Sequence, residues 1–333
     1  MFVNAIKKAK LLEEGKIQVP NGLIDTYSFQ RSGPLAGRRA VILEFEGIRV
    51  KLEISRKSKY TLHKNGKNYS IVDEDGTFIK NVKIIHAPGG APNQVFLNIE
   101  NRCIFNCTFC ESCSKAVDEE RLMRFITKLV ENRSCETIAL TTGVFPSVES
   151  SIKRLCRFVL NLRKKNKDIP IGVEAVVNKK EQIDAIKESG ADEIKINVQL
   201  PRKDLFDAIC GYASYDSIYS FLEHAVDVFG EGKVTSNIIY GLGEREEDIL
   251  ETLERLASAG IVATLRKVRL REVNADRIRK RIGRSPKKVN YDKILRLALN
   301  HKNILKKFGL TTKTFKTMCL PCACCDLVPF IDI

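Results

Sequence analysis

The stretch QVFLNIENRCIFNCTFC, residues 94–110, joins an apolar run to three closely spaced cysteines. The run QVFLNI is rich in apolar, β-branched and aromatic residues, which predicts a short buried β-strand. Cys103, Cys107 and Cys110 follow it directly with the spacing C-x3-C-x2-C. Three thiolates at this spacing can hold one face of a compact iron–sulfur cluster and leave a fourth iron open to chelate a small molecule.

Beyond this stretch, short apolar runs alternate with helical patterns. The further runs are TIALTT, PIGVEAV, EIKINVQL, KVTSNIIYG and IVATLRKVRL. Helices are predicted at about 118–132, 147–165, 179–189, 214–229, 244–259 and 290–308. Strands that alternate with helices favour βαβ units and a parallel sheet, so the chain is predicted to be α/β, with a partial TIM-type βα barrel. In such a barrel, functional residues gather at the carboxyl ends of the strands.

The first 90 residues show a different pattern. An amphipathic helix is followed by the runs AVILEFE, RVKLEI, KYTLHK, NYSIV and TFIKNVKII, with turn signals such as Asn65-Gly66 between them. These runs predict a small, mostly antiparallel β-rich domain, and the segment 86–94, HAPGGAPNQ, predicts a linker. We therefore expect a β-rich domain at 1–90, a barrel at 91–310 and a cysteine-rich tail at 311–333.

Composition limits the class of protein. The chain has 333 residues, of which 44% are hydrophobic, so it can bury a large core. Its start does not resemble a signal peptide, and no apolar run approaches the length of a membrane span. Seven of its eleven cysteines fall into two tight clusters, as metal ligands do. These features predict a cytoplasmic protein with no membrane partner.

The formal net charge of +15 is concentrated in one segment. Residues 266–288 contain eleven Lys or Arg and two acidic residues, and so supply +9 of that charge. Such a segment is either a solvated surface or a basic rim for nucleic acid, a phosphorylated ligand or an acidic partner protein. We favour the solvated surface.

The second cysteine cluster is MCLPCACC at 318–325, with Cys319, Cys322, Cys324 and Cys325. Adjacent thiols are prone to oxidation unless something binds them, so we favour a second metal here: an auxiliary iron–sulfur cluster, an iron or a zinc. Three of these ligands, or a set shared with Cys113, would suit the tight spacing. The alternatives are redox or catalytic thiols, one of them donating a hydrogen atom to a substrate radical, or burial as small apolar residues.

The first cluster also has other interpretations. Cys107 and Cys110 could pair with Cys319 and Cys322 as two zinc knuckles, but this would leave Cys103 without a role. A ferredoxin run fails because Val117 stands where its fourth cysteine would be. The isolated cysteines are expected in the core: Cys135, Cys156 and Cys210.

The motif CIFNCTFC at the end of the first strand of a βα series resembles the signature of the radical SAM superfamily. This resemblance implies a [4Fe–4S] cluster bound by Cys103, Cys107 and Cys110, and S-adenosylmethionine with its adenine near Phe109. The turn Thr141-Thr142-Gly143 resembles the family's turn for the methionine moiety, but lacks its acidic residue. The strand at 237–244 resembles the adenine-binding strand through Ile239, Gly241 and Glu244, with Asn237 in place of a glycine.

The resemblance also implies a reaction. An electron from a ferredoxin or flavodoxin type of partner would reductively cleave S-adenosylmethionine, and the resulting 5′-deoxyadenosyl radical would abstract hydrogen from a substrate. The similarity of this chain to the biotin synthase-like and archaeal radical SAM group favours a small molecule over a macromolecule, and cofactor biosynthesis as the setting. The alternatives are a radical SAM methyltransferase or a protein- or RNA-modifying enzyme, with or without cobalamin, and thirdly a non-enzymatic iron–sulfur carrier or nucleic-acid-binding module.

Polar residues at the remaining strand ends are weaker candidates. Glu174 lies in the third predicted strand, and Asn197, Gln199 and Arg202 lie at or beyond the end of the fourth. In a barrel these side chains could face the substrate, and an arginine suits a two-pronged contact with a carboxylate. Arg202 could equally be a solvated loop residue.

Overall fold

The structure is a computed structural model that describes residues 2–24, 28, 29, 35, 37–110, 115–211, 214–286 and 288–333, with the backbone alone described at residues 28, 29, 272 and 273. Within this part of the chain there are two seven-stranded β-sheets. None of the helices described there combines the length and apolarity needed to span a membrane.

The first sheet lies in the front part of the chain, after the helix α1 (Phe2–Glu14). Its strands are β1 (Lys16–Ile17), β2 (Ser28–Phe29), β3 (Arg39–Phe45), β4 (Ile48–Ile54), β5 (Thr61–Asn65), β6 (Asn68–Asp73) and β7 (Gly76–Ile84). The order is β1-β4-β3-β7-β6-β5, with β2 paired to β3. All pairings are antiparallel except that of β1 with β4. The predicted hairpin is present, because β5 and β6 pair with Asn65 opposite Asn68.

The second sheet is a half-barrel of parallel strands. Its strands are β8 (Gly90–Ala91), β9 (Gln94–Asn98), β10 (Thr137–Thr141), β11 (Ile171–Glu174), β12 (Glu193–Lys195), β13 (Val234–Tyr240) and β14 (Val262–Lys267). From β9 to β14 they lie side by side in chain order, which confirms the predicted partial βα barrel. The predicted linker at 86–94 was wrong in part, because Gly90 pairs antiparallel with Val95 and extends the sheet by β8.

Helices connect the parallel strands. They are α2 (Glu119–Glu131), α3 (Val148–Lys165), α4 (Glu181–Glu188), α5 (Lys203–Ile209), α6 (Tyr215–Phe229), α7 (Glu246–Ser258), α8 (Glu272–Ile282), α9 (Tyr291–Lys307) and the short α10 (Cys319–Cys322), with a 3₁₀ turn at Thr312–Thr314. Asp118, Ser147 and Asn290 cap helices by accepting hydrogen bonds from backbone N–H groups of the first turn. The sequence did not predict α5, which has seven residues, or the strongly charged α8.

One face of the half-barrel is polar. Side chains alternate between the two faces of a strand, and the strand registers place every second residue of β9 to β14 on the same face. Residues on this face, called the polar face below, are Gln94, Asn98, Thr141, Glu174, Glu193, Lys195, Asn197, Thr235, Asn237, Thr264 and Arg266. The alternate residues, such as Leu97, Leu140 and Val173, are buried in the apolar core.

Residues 315–320 lie against this polar face. A Cβ atom on Gly172 of β11 would lie 2.0 Å from Thr317 Oγ1, so only glycine leaves room for the tail there. The Gln94 side chain accepts from the backbone N–H of Met318 and donates to its carbonyl over 3.0 Å. One continuous apolar core joins the front sheet, the barrel and the tail. The division into three domains therefore stays a prediction.

Candidate functional site

The cysteine loop that follows β9 is joined along one side to the turn after β10. Backbone hydrogen bonds connect Ile99 N–H to the Thr141 carbonyl at 2.9 Å, Gly143 N–H to the Glu100 carbonyl at 2.7 Å, and Ile104 N–H to the Val144 carbonyl at 2.8 Å. A Cβ atom on Gly143 would lie 2.3 Å from the carbonyl oxygen of Arg102. Glycine is therefore required at Gly143 by the close approach of the loop.

On its other side the loop contacts the end of α5. Both the backbone N–H and the hydroxyl of Thr108 donate to the carbonyl of Ile209, over 3.0 and 3.1 Å. The next residue, Cys210, is buried, as predicted for a core cysteine, but its thiol also forms a hydrogen bond with Cys107. That bond outweighs the effect of burial and lowers the pKa of Cys107 to about 7, whereas burial and Cys107 raise the pKa of Cys210 well above its usual value.

The three loop cysteines differ in accessibility. Cys103 and Cys110 are exposed, and Cys107 is half-buried. Among the residues described, no three His, Cys, Asp or Glu side chains converge as a preformed metal cage, and this includes the loop. The donor set nevertheless suits a cluster, because two of the thiols are exposed to solvent and the pKa of the third is lowered to about 7, which favours the thiolate that a metal binds. Phe109 is half-buried against the core beside them.

Glu100, just before the loop, was not a sequence candidate. Its carboxylate is nearly fully buried and pairs with the Arg102 guanidinium at 2.6 Å. Burial alone would raise the pKa of Glu100, but the hydrogen bonds from Arg102 outweigh burial and lower it. Glu100 also accepts from the backbone N–H of Arg102 at 2.9 Å, so it holds the turn that leads into Cys103. An acidic residue directly after an apolar strand was the available signal.

The second candidate group follows β13. The side chain of Ile239 lies on the same face as Arg266, and its N–H donates to the carbonyl of Gln199 at 2.6 Å. The buried carboxylate of Glu244 accepts from the backbone N–H groups of Gly241 and Leu242, over 2.7 and 2.8 Å. Glu244 therefore holds the turn at the end of β13, and both of its oxygens are engaged in doing so.

The strand-end candidates separate into two groups. Asn197 lies on the polar face, where it donates to the Glu174 carboxylate at 2.6 Å and accepts from the Asn237 N–H at 3.0 Å. Arg202 lies in the loop that leads into α5 and forms a two-pronged pair with the Asp204 carboxylate at 2.7 and 2.8 Å. The structure thus places Glu174 and Asn197 together, and directs Arg202 to a surface ion pair.

Several buried oxygens at the barrel lack a partner. Within the described part of the chain, no hydrogen bond reaches the side-chain oxygen of Asn98, Gln199, Asn237 or Thr264. Asn98, Asn237 and Thr264 are on the polar face, and Gln199 follows β12 with a left-handed φ of 64°. Leaving a buried polar atom unpaired costs roughly 1–3 kcal/mol, so four of them near one surface indicate a site for a ligand with hydrogen-bond donors.

Two buried cations at the polar face, Lys195 and Arg266, were not predicted from the sequence. The Lys195 ammonium is 1% exposed and lies 3.9 Å from the Glu174 carboxylate and 3.6 Å from the Cys319 sulfur. The Arg266 guanidinium pairs with Asp326 at 2.6 Å and lies 3.4 Å from the same sulfur. The alternation of polar and apolar residues in EIKINVQ was the signal, because a parallel strand covered on both faces is usually apolar throughout.

Of the four tail cysteines, Cys322, Cys324 and Cys325 pack together, and Cys319 lies apart from them. Cys319 lies at the polar face between Lys195 and Arg266, whereas Cys322 and Cys324 are buried in a small apolar cluster with Ile42 and Ala87. A second metal at the tail, which we predicted, is not supported, because no group of metal ligands converges there in the described residues. Cys113, the suggested shared ligand, lies outside those residues.

One family of known proteins matches the region of the chain that contains this site. The sequence profile described as the Radical SAM superfamily matches residues 97–256, which contain the cysteine loop and the turn after β13. No curated protein sequence matches the chain.

Two solved structures share the fold. The [FeFe]-hydrogenase maturase HydG from Carboxydothermus hydrogenoformans aligns with a TM-score of 0.52 and 12% identity, over 65% of this chain and 52% of that one. A second HydG structure, described as a maturase of the [FeFe]-hydrogenase, has a TM-score of 0.53 and 17% identity, over 67% of this chain and 52% of that one. The chain aligns with about half the length of these structures.

The fold is a parallel half-barrel of the βα-barrel type, with a three-cysteine loop at the carboxyl end of its first parallel strand. Residues 97–256 of the chain form a domain of the radical SAM superfamily. Membership implies a [4Fe–4S] cluster, S-adenosylmethionine and a source of reducing electrons.

Proposed function

We propose that this enzyme abstracts a hydrogen atom from a small polar molecule held at the polar face of the half-barrel, in the assembly of a cofactor. When bound, the cluster and S-adenosylmethionine supply reductive cleavage to methionine and a 5′-deoxyadenosyl radical. The observation that carries the proposal is the position of the cysteine loop, which is joined to the turn after β10 and to α5 at the same end of the barrel as the unpartnered oxygens.

In this proposal, Cys103, Cys107 and Cys110 hold the cluster. Cys210 is a positioning residue, because its hydrogen bond favours the thiolate form of Cys107 that a metal requires. Glu100 is a second positioning residue, because it accepts a hydrogen bond from the backbone N–H of Arg102 and so fixes the turn that precedes Cys103.

S-adenosylmethionine is proposed to lie between the turn after β10, which borders the loop, and the turn after β13. Thr141, Thr142 and Gly143 form the turn after β10, and the hydroxyl of Thr142 donates to the Gly143 carbonyl at 2.8 Å. Ile239 and Gly241 lie at the end of β13, where Glu244 holds the turn in place. Phe109 supplies apolar surface beside the cysteines.

The chemical class of the substrate follows from the polar face. Lys195 and Arg266 are matched there by Glu174 and Asp326, so the face is polar without a large excess of charge. Unpartnered acceptors such as Asn98 and Asn237 favour a substrate with hydroxyl, amino or amide donors. Because the tail covers part of this face, a small molecule fits better than a folded macromolecule.

The test is product analysis. The reduced enzyme, given S-adenosylmethionine and no cobalamin, should form methionine and 5′-deoxyadenosine but little S-adenosylhomocysteine. The variant with Cys103, Cys107 and Cys110 all replaced by Ala is the control, and should remain folded yet lose about four irons and all cleavage. Cobalamin-dependent S-adenosylhomocysteine in proportion to product would instead identify a methyltransferase.

A further inference from the structure

We propose that a basic surface on α8 docks an acidic one-electron donor protein beside the cysteine loop. The α8 surface is defined by Arg277, Arg279, Lys280, Arg281 and Arg284. This inference rests on the proposed function, since it names the surface through which that site would receive electrons.

The placement of α8 is the first argument. Arg277 donates to the carbonyl of Cys110 at 3.4 Å, so the helix lies directly against the third loop cysteine. Just after the helix, Arg284 donates to the carbonyl of Gly243 at 2.8 Å, in the turn that follows β13. The helix also packs against α5, whose last residue holds Thr108 of the loop. The α8 surface therefore extends from the third loop cysteine to the turn after β13.

Charge is the second argument. Arg277 and Arg281 are spaced by four residues on α8, which places them in one row along the helix, and Arg284 follows just after the helix ends. Arg281 is exposed between the two arginines that contact the site. On the neighbouring face, Arg279 and Lys280 share the single carboxylate of Asp276, over 2.6 and 3.0 Å. The surface keeps a net positive charge after these pairs are counted.

The third argument is an exposed apolar side chain in the loop itself. Ile104, next to Cys103, is 52% exposed and is one of the few large apolar residues at the surface. An exposed apolar side chain on the loop, together with charges of one sign on α8, suits a small, transient interface, in which complementary charge steers the partner and sets the association rate. Electron delivery needs such short-lived contact close to the metal site.

A nucleic acid fits this surface less well. Proteins that bind single strands combine basic grooves with aromatic side chains on which the bases stack. The segment 272–286, EVNADRIRKRIGRSP, contains no aromatic residue. The charges also form one short row beside the loop. An acidic protein with a surface of a few carboxylates matches this row better.

The experiment compares two charge-reversal variants of the full chain. Lys280→Glu/Arg281→Glu changes exposed residues of the α8 surface that form no hydrogen bond with the described residues of the loop, and lowers the net charge by four. The matched control, Lys164→Glu/Lys165→Glu, lowers it by the same amount at the exposed end of α3. Because α3 runs antiparallel to the strands, this end lies at the opposite edge of the barrel from the cysteine loop.

Binding of an acidic flavodoxin is measured at low salt by calorimetry, independently of turnover. We expect the substitutions on α8 to raise the Kd for flavodoxin by on the order of tenfold. The KM for flavodoxin in S-adenosylmethionine cleavage should rise by a similar factor. The α3 variant should change both by less than about twofold. Added salt should weaken binding of the unmodified enzyme and have little further effect on the α8 variant. With dithionite as reductant, all three proteins should cleave S-adenosylmethionine at the same rate.

Equal flavodoxin binding by the α8 variant, the α3 variant and the unmodified enzyme would overturn the docking surface. Retention of a single-stranded RNA oligonucleotide by the unmodified enzyme, lost in the α8 variant while flavodoxin binding is unchanged, would also overturn it and assign the surface to RNA. Failure of dithionite-driven cleavage in the unmodified enzyme would instead count against the proposed function, because the binding measurement does not depend on cleavage.

Discussion

The ammonium group of Lys8 lies 2.6 Å from a carboxylate oxygen of Asp332, and both side chains are fully buried. Lys8 belongs to α1 and also donates to the carbonyl of Ala323 at 2.6 Å. The same carboxylate oxygen of Asp332 accepts from the backbone N–H of Val328 at 2.7 Å. This ion pair therefore joins the first helix to the tail that lies along the polar face.

Removing one partner of this pair should be costly, because it leaves the other charge buried without compensation. Lys8→Met or Asp332→Leu alone should lower the free energy of unfolding by roughly 3–5 kcal/mol. The double variant Lys8→Met/Asp332→Leu should recover most of that loss, since no buried charge remains. Guanidinium unfolding of the four proteins measures this coupling. Equal and additive losses would show that the two charges do not interact.

The fit between Gly172 and Thr317 can be tested by a paired substitution. Gly172→Ala should displace the tail, because the new methyl group would lie 2.0 Å from Thr317 Oγ1, and should cost about 1–3 kcal/mol. Thr317→Gly in the same chain should restore the fit at Gly172, although it also removes the Thr317 hydroxyl that donates to Glu193. Alkylation of Cys319, followed by mass spectrometry, reports tail displacement. Unchanged protection of Cys319 in the single variant would contradict the contact.

Asn237 should show opposite effects on stability and activity. The side-chain oxygen of Asn237 is buried without a hydrogen-bond partner among the described residues. Asn237→Leu should therefore leave the free energy of unfolding unchanged or raise it by about 1 kcal/mol, because it removes a polar atom whose burial is costly. If the oxygen serves the substrate, product formation should fall at least tenfold, by roughly 1.4 kcal/mol of transition-state stabilisation. His301→Leu is the control, because His301 Nε2 is also buried without a partner among the described residues but lies on α9. It should keep full activity.

His301 also predicts a pH dependence of stability. Burial lowers the pKa of His301 to about 3, whereas an unfolded histidine titrates near about 6.5. The folded state holds the neutral ring, so its stabilising contribution is complete above pH ~6.5 and is lost as the pH falls toward ~3. Between pH 6 and 5 this loss should reach about 1 kcal/mol, and His301→Leu should remove that part of the slope. Equal slopes in unfolding measurements at pH 7, 6 and 5 would contradict the assignment.

Cysteine reactivity should follow exposure and thiolate character. In the protein without its cluster, Cys103 and Cys110 should be alkylated rapidly, because both are exposed. Cys322 and Cys324 should react only after unfolding, since both are buried in an apolar cluster. Loading the cluster should protect the loop cysteines and leave the tail unchanged. Peptide mapping gives all four rates, and rapid labelling of Cys324 in the folded chain would contradict its burial.

The βα alternation and the cysteine loop could both be predicted from patterns of neighbouring residues. The six parallel strands were located because apolar runs and helical periods are properties of neighbouring residues, which a short window of sequence contains. The C-x3-C-x2-C spacing is equally local, so Cys103, Cys107 and Cys110 could be predicted as cluster ligands without the fold. Even α5 and α8 were missed for a local reason: one is too short, and the other too highly charged, to show a clear apolar period.

Which distant residues contact the loop and the polar face depends on the tertiary structure and could not be predicted from local patterns. Cys210 looked like an ordinary core residue until α5 placed it against Cys107, and the tail cysteines resembled a metal site until the fold separated Cys319 from Cys322 and Cys324. Lys195 and Cys319 are 124 positions apart in the chain, yet their side chains lie 3.6 Å apart. No local pattern encodes such a contact, because it depends on how strands curl into a half-barrel and on which segment then covers the polar face.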